Sequence, residues 1–305
     1  MHRQLLRLRQ IRSTHHLPPQ PPFVARALHN STPTTTQQHR EMPLVFLVHG
    51  MFGFQQQFHL LQSYLERHRI NVLNWTYPSS RTSFEILAAS LVEAVRSSCA
   101  RLPVHSSQQI HFVTHSAGAL VLRCALSTNS EFRDFLDGRQ STTHFVQIAP
   151  ANGGSAVARF VRESLPEVVT QFLLDWFKDL ESCPKPQYSA LEQLMKYEQS
   201  FFLENWWDLP SNMQLHIISS SSISLPFHFI QRPNDGMLTV QEQIALPPHV
   251  KQLRQVVKVH GHHSLLLNYA KVSQTVLNIL NGTTTPNPII SSNQTITPNT
   301  IVTPN

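Results

Sequence analysis

Apolar strand patterns and helical patterns alternate along this chain from residue 44 to residue 280, and that alternation restricts the fold more than any other feature. The run LVFLV at 44–48 is apolar at every position, which suits a strand covered on both faces. A helical pattern follows over 56–67, a strand over 70–77 (INVLNWTY) and a longer helix over about 82–101. β-formers at 110–113 lead into Thr114, His115 and Ser116, and from Ala119 onward the apolar residues read as one buried helix. Strands then recur at 144–149 (HFVQIA), 215–220 (LHIISS) and 253–259 (LRQVVKV), before a closing helix over about 264–280. Strands separated by helices pair in parallel and carry helices on both faces. The expected class is therefore α/β, with a mostly parallel sheet of about six strands.

The two ends fall outside this rhythm. Residues 1–42 are rich in Pro, Gln, His and Thr, and residues 281–305 repeat Thr-Pro-Asn without a charge, so neither can build a core and both are expected to be disordered. That leaves 43–280 as one domain, a size that buries a substantial core. The formal charge of +6 sits in residues 1–40, whose six arginines come with no lysine and no acid; without them 18 basic residues balance 18 acidic ones. A neutral body with no basic stripe excludes nucleic acid as a partner. The Arg-rich, acid-free leader reads as a mitochondrial transit peptide, with RALHNS at 26–31 resembling the sequence before a matrix-peptidase cut. A merely disordered basic tail on a cytoplasmic or secreted chain is the other reading, and the sequons at Asn30, Asn281 and Asn293 matter only to the secreted one. Cys99, Cys124 and Cys183 are too few and too scattered for a disulfide framework or a zinc cluster. No run of about 18 apolar residues offers a membrane span.

Residues 155–212 break the alternation with a helical stretch that carries Phe172, Trp176, Phe177, Phe201, Phe202, Trp206 and Trp207. Such a segment either packs on the sheet or caps a pocket at its rim. The cap is the preferred expectation, because ligands of open α/β sheets bind at the carboxyl ends of the strands, where this segment emerges. A cap of this composition would also touch a membrane or lipid surface peripherally.

Ser116 stands where a strand stops and a helix starts, in the pentad Thr114, His115, Ser116, Ala117, Gly118. A sharp turn there pushes the hydroxyl out of the chain, and small neighbours two positions away permit it. This is the physical content of the GxSxG pattern, with threonine here in the place of the first glycine. A serine hydroxyl needs a base, an acid to orient the base, and donors for the oxyanion. The loop His49, Gly50, Met51, Phe52, Gly53 closes the first strand as HGxxG, so the expected oxyanion donors are the backbone N–H groups of Met51 and Ala117, with His49 bracing the loop. In folds with such an elbow the acid follows the sixth strand and the histidine the seventh. Between Leu209 and His263 the acids are Asp235, in the turn-forming RPNDGML, and Glu242, placed further along among solvated residues; Asp235 is preferred. The last strand is followed by His260, His262 and His263. His263, immediately before SLLL, is the preferred base, His262 is the alternative, and a metal site on the three lacks a completing acid or cysteine.

Taken together these motifs resemble the α/β-hydrolase superfamily, and within it the small triacylglycerol lipases and esterases of the bacterial type with their eukaryotic relatives. LVFLVHGMFG is similar to their oxyanion loop, THSAGALVLR to their nucleophile elbow, APANGGS at 149–155 to the loop after their next strand, NDGML to their aspartate turn and HGHHSLLL to their histidine loop. The resemblance implies an α/β-hydrolase fold with a helical cap over 155–212, and a catalytic set of Ser116, Asp235 and His263 with the Met51 and Ala117 amides. It implies an ester hydrolase acting on a small-molecule or lipid ester through an acyl-enzyme, without cofactor or metal. The calcium-stabilised lipases carry an acid two residues beyond their catalytic histidine, where this chain has Leu265. An acyl thioesterase or a phospholipase of the same fold, or a non-catalytic binding protein, is the alternative.

Overall fold

In the computed structural model the described residues are 42–283 apart from 52, 54, 80–81, 102–107, 165, 167–188 and 223–231. Six strands, β1 (Leu44–Val48), β2 (Asn71–Trp75), β3 (Ile110–His115), β4 (Thr143–Ile148), β5 (Met213–Ser221) and β6 (Leu253–His260), form one sheet in the order β2-β1-β3-β4-β5-β6. Every pairing is parallel. This is the expected α/β class, and β1, β3 and β4 are buried along their whole length because helices cover both faces.

The period of two along each strand sorts the core into two layers. Leu44, Phe46, Val48, Phe112, Phe145 and Leu215 pack with α2 (Phe84–Arg101) and α3 (Gly118–Thr128). Val45, Leu47, Val113, Val146 and Ile148 pack on the other face, with α1 (His59–Arg67) and α9 (Ala270–Leu280). Helix α3 is buried from Gly118 to Leu126, as a pattern apolar at every position but Arg123 requires. A short helix missed by the pattern, α4 (Ser130–Asp137), follows it directly, started by the Asn129 side chain, which accepts from Phe132 N at 2.8 Å.

The sheet has six strands, so the acid and histidine loops follow β5 and β6, one strand earlier than expected from the family order. The closing helix is also not continuous. A 3₁₀ turn over His263–Asn268 ends at Tyr269, which is extended, and α9 starts at Ala270. At about 100° per residue an unbroken helix would carry Leu267 to the far side from Val272, Val276 and Ile279. All four are buried, and the break at Tyr269 makes that possible. Helix 56–67 divides similarly into a 3₁₀ turn over Gln55–Phe58 and α1.

Of the 155–212 stretch, the structure describes α5 (Ala156–Ser164), α6 (Ala190–Lys196) and α7 (Gln199–Glu204); Phe172, Trp176, Phe177 and Cys183 lie outside the described residues, as do most of the leader and tail. Phe202 and Trp207, at the described end of the stretch, belong to the core cluster that packs with α2 and α3. Among the described residues no helix is long and apolar enough to cross a membrane.

Among the described residues, five buried histidines besides His263 are held neutral, and acid sensitivity of the fold is the expected result. His111, His144 and His216 lie side by side on β3, β4 and β5; His144 N donates to His111 Nδ1 at 3.0 Å, and His144 Nδ1 meets His216 Nε2 at 3.1 Å. Burial lowers His111 and His216 from 6.5 to about 3 and His144 to about 4. It also lowers His115 to about 3 and His49 to about 4. The unfolded chain takes up these protons as pH falls below 6.5 while the folded chain refuses them until 3 to 4, so stability drops with pH through that window. Each such histidine contributes up to about 1.4 kcal/mol per pH unit. Thermal unfolding should therefore be nearly level above neutral pH and shift steeply downward from about pH 6 to about pH 4. A midpoint that stays level across that range would contradict these protonation states.

Candidate active site

The elbow is strained, and its surroundings hold it so. Ser116 has φ 54°, in the left-handed region that L residues rarely occupy. Three backbone hydrogen bonds fix it: Ser116 N to Ile148 O at 3.0 Å, Ala119 N to Ser116 O at 3.2 Å and Ala151 N to Ser116 O at 3.3 Å. A local cost of about 1–3 kcal/mol persists only where contacts over-determine the backbone in this way. Gly118, the second glycine of the pentad, admits no side chain, since a Cβ there would run into the carbonyls of Val48 and His49. Thr114 fills the first glycine's place as a buried strand residue, paired with Val48 and Gln147.

Gly50 brings the β1 loop against the serine. A Cβ at Gly50 would lie 2.7 Å from Ser116 Cβ, so only glycine allows the loop so near. Met51 follows it, half-buried, and Ala117 opens helix α3 with φ −63°. His49 braces this loop as expected. Its ring stacks on Tyr77 at 4.0 Å, Nδ1–H donates to Gly50 O at 2.9 Å, Nε2 accepts from Tyr77 N at 3.4 Å, and the Tyr77 hydroxyl donates to His49 O.

Asp235 is fully buried in the turn after β5. Its Oδ1 accepts from Met237 N at 3.0 Å and Leu238 N at 2.8 Å. Its Oδ2 accepts from His263 Nδ1 at 2.7 Å, Ser220 Oγ at 2.8 Å and Gln243 Nε2 at 3.1 Å. Burial alone would raise this carboxyl, but the His263 charge and hydrogen bond, with the Leu238 and Met237 amides, outweigh it and hold it below 3.8. The backbone repeats the pairing, for His263 N donates to Asp235 O at 2.9 Å.

The acid therefore meets His263 and not His262. His262 caps the 3₁₀ turn, its Nδ1 accepting from Ser264 N at 3.3 Å, and His260 is exposed at the end of β6. The residue before Ser116 packs on this pair: the His115 ring lies 4.8 Å from the His263 ring, and His115 Nε2 is 3.2 Å from His263 O. Among the described residues no hydrogen bond joins the Ser116 hydroxyl to His263. Nor, among them, does any group of three His, Cys, Asp or Glu side chains form a metal-binding set.

Glu242 is not among solvated residues. It is 3% exposed, its Oε2 accepts from Thr239 N at 2.9 Å and Thr239 Oγ1 at 3.1 Å, and its Oε1 pairs with Arg159 Nη2 at 2.7 Å. The Thr-x-x-Glu capping box of α8 (Val240–Ile244) accounts for this burial. Arg123 was also overlooked as a structural residue. Buried inside α3, it donates to Trp206 O at 3.0 Å, Asn205 O at 2.9 Å and Asn152 Oδ1 at 3.2 Å, and lies 3.5 Å over the Trp207 ring. It thereby ties the aromatic end of the 155–212 stretch to the loop after β4. A lone arginine in ALVLRCAL was the signal.

A parallel sheet with a strained serine elbow after β3, an acid turn after β5 and a histidine loop after β6 defines the class: the chain has the α/β-hydrolase fold. The sequence family described as "Putative serine esterase (DUF676)" matches residues 38–152, which hold the β1 loop and the elbow but neither Asp235 nor His263. Among solved structures, the mature lipase BlEst2 of Bacillus licheniformis is 14% identical with a TM-score of 0.56, covering 83% of this chain and 96% of that one. The metagenomic carboxyl esterase MGS0156 is 20% identical with a TM-score of 0.50, covering 80% and 71%. The lin2722 gene product of Listeria innocua is 14% identical with a TM-score of 0.50, covering 80% and 96%. At these identities the likeness is one of fold. No curated protein matches the sequence significantly.

Proposed function

We propose that this chain is a serine hydrolase that cleaves carboxylic esters of apolar acyl groups through an acyl-enzyme on Ser116. The observation that carries the reading is the buried Asp235–His263 pair, 2.7 Å apart, whose histidine ring lies against the residue before the strained serine. With Nδ1–H committed to Asp235, the Nε2 of His263 is the free base. Ser116 Oγ bonds to the ester carbonyl carbon as its proton passes to Nε2, and the oxyanion is held by the Met51 and Ala117 amides. The intermediate collapses with the alcohol leaving and taking that proton. Water then attacks the acyl-enzyme by the same route and releases the acid.

The apolar preference is supported by Leu265, 49% exposed two residues beyond His263, and by the apolar Met51 in the facing loop. A series of nitrophenyl esters of increasing acyl length tests it. kcat/KM should rise from acetyl toward longer chains. Activity confined to acetyl esters would defeat the lipid reading, and a parallel thioester series giving the higher kcat/KM would make the protein a thioesterase.

A further inference from the structure

We infer that Gln243 is a positioning residue of the acid–base pair, aiming the Asp235 carboxylate at His263 through a side-chain amide that completes the unfinished edge of β5; this rests on the proposed hydrolase chemistry. Strand β4 ends at Ile148, paired with Ile218, and Ala149 N still reaches Ile218 O at 2.8 Å. Two residues on, Ser220 turns its N–H and C=O to the same side of β5, where β4 no longer runs. Both groups are buried and need partners. Gln243, fully buried on α8, supplies them: its Oε1 accepts from Ser220 N at 2.7 Å and its Nε2 donates to Ser220 O at 3.0 Å.

This pairing fixes the amide's orientation. A flipped amide would set an NH₂ against Ser220 N–H, so Nε2 must face the carbonyl side. There its second proton reaches Asp235 Oδ2 at 3.1 Å, beside the Ser220 hydroxyl at 2.8 Å. The main chain of Gln243 is anchored in turn, its carbonyl accepting from Asn152 Nδ2 at 3.1 Å. The neighbouring Glu242 points away, to Arg159 and Thr239. The other titratable groups around the pair are His115 of β3, His49 of the β1 loop, and His262 beside His263.

Two variants of similar length separate aiming from packing. Gln243→Met keeps the volume and loses the donor, and should lower kcat about tenfold with KM unchanged. In Gln243→Glu the neutral carboxyl can still accept from Ser220 N and donate to Asp235, but the ionised form faces a second carboxylate. The kcat ratio of Gln243→Glu to Gln243→Met should therefore fall as pH rises from about 5 to about 8. Their melting points give the same comparison without turnover. The introduced carboxyl has its proton held more tightly in the folded state, so its stability contribution is present at low pH and lost as pH rises through the folded value.

An active wild type with both comparisons flat in pH overturns the role of Gln243 and leaves the hydrolase reading intact. A wild type inactive on every ester defeats the hydrolase reading, and the melting comparison then still decides whether the amide is coupled to the carboxylate. If Gln243→Glu does not fold at any pH, the Ser220→Ala and Gln243→Met pair decides. Both donors act on one oxygen, so their losses in kcat should not multiply in the double variant; losses that multiply overturn the inference.

Discussion

Ser116→Ala should leave a folded protein that has lost about 10⁵-fold or more in kcat on esters and is no longer labelled by a fluorophosphonate. Folding should survive because the hydroxyl has no hydrogen-bond partner among the described residues, and because alanine carries the same penalty as serine at φ 54°. The backbone that holds the elbow, Ser116 N on Ile148 O and Ala151 N on Ser116 O, is indifferent to the side chain. Ser116→Gly gives a matched control. It loses the nucleophile equally but relieves the left-handed strain, so it should melt higher than Ser116→Ala, by about 1 kcal/mol of stability. A variant that keeps its hydrolysis would move the nucleophile elsewhere. A wild type that is folded, inert and unlabelled would make the chain a binding protein on the same fold.

How far the sequence revealed this depended on whether a feature is local. The strands announce themselves because β1, buried on both faces, is apolar throughout, and β3 and β4, equally buried, are built mostly of β-formers. Ser116, Gly118 and Gly50 are legible because a left-handed serine and two close backbone approaches tolerate few neighbours. Asp235 was found because its turn is built from its own side chain bonding the amides of Met237 and Leu238. Helix α4 carried its signals, an Asn cap with Phe132 and Leu136 four apart, but the strong apolar helix before it obscured them. Glu242 was misplaced because a charge reads as solvated until its partner is known, and Arg159 lies 83 positions away. Gln243 and Ser220 could not be found at all. Their task follows from β4 stopping short of β5, which is a property of the sheet's register and not of any stretch of chain.

Asp235→Asn changes one atom and should still lower kcat about 10⁴-fold, because it reverses the histidine. The turn selects the amide's orientation: Met237 N and Leu238 N, at 3.0 and 2.8 Å, both require an oxygen, so the carbonyl of the new side chain takes the Oδ1 place and its NH₂ takes that of Oδ2. Three donors converge there, from His263, Ser220 and Gln243. The Ser220 hydroxyl can rotate and accept. Gln243 cannot, because Ser220 N fixes its amide, so its second N–H exchanges a charged acceptor for the more distant Leu238 O at 3.4 Å, at a cost of about 1–3 kcal/mol in stability. His263 can accept only by giving up its Nδ1 proton, which moves the proton to Nε2 and turns the proposed base into a donor. The loss should thus lie in kcat, be the same for short and long acyl chains because the tautomer is set before any substrate binds, and appear equally as slowed fluorophosphonate labelling. A loss of tenfold or less would mean that the 2.7 Å pair serves the fold and that another group orients the base.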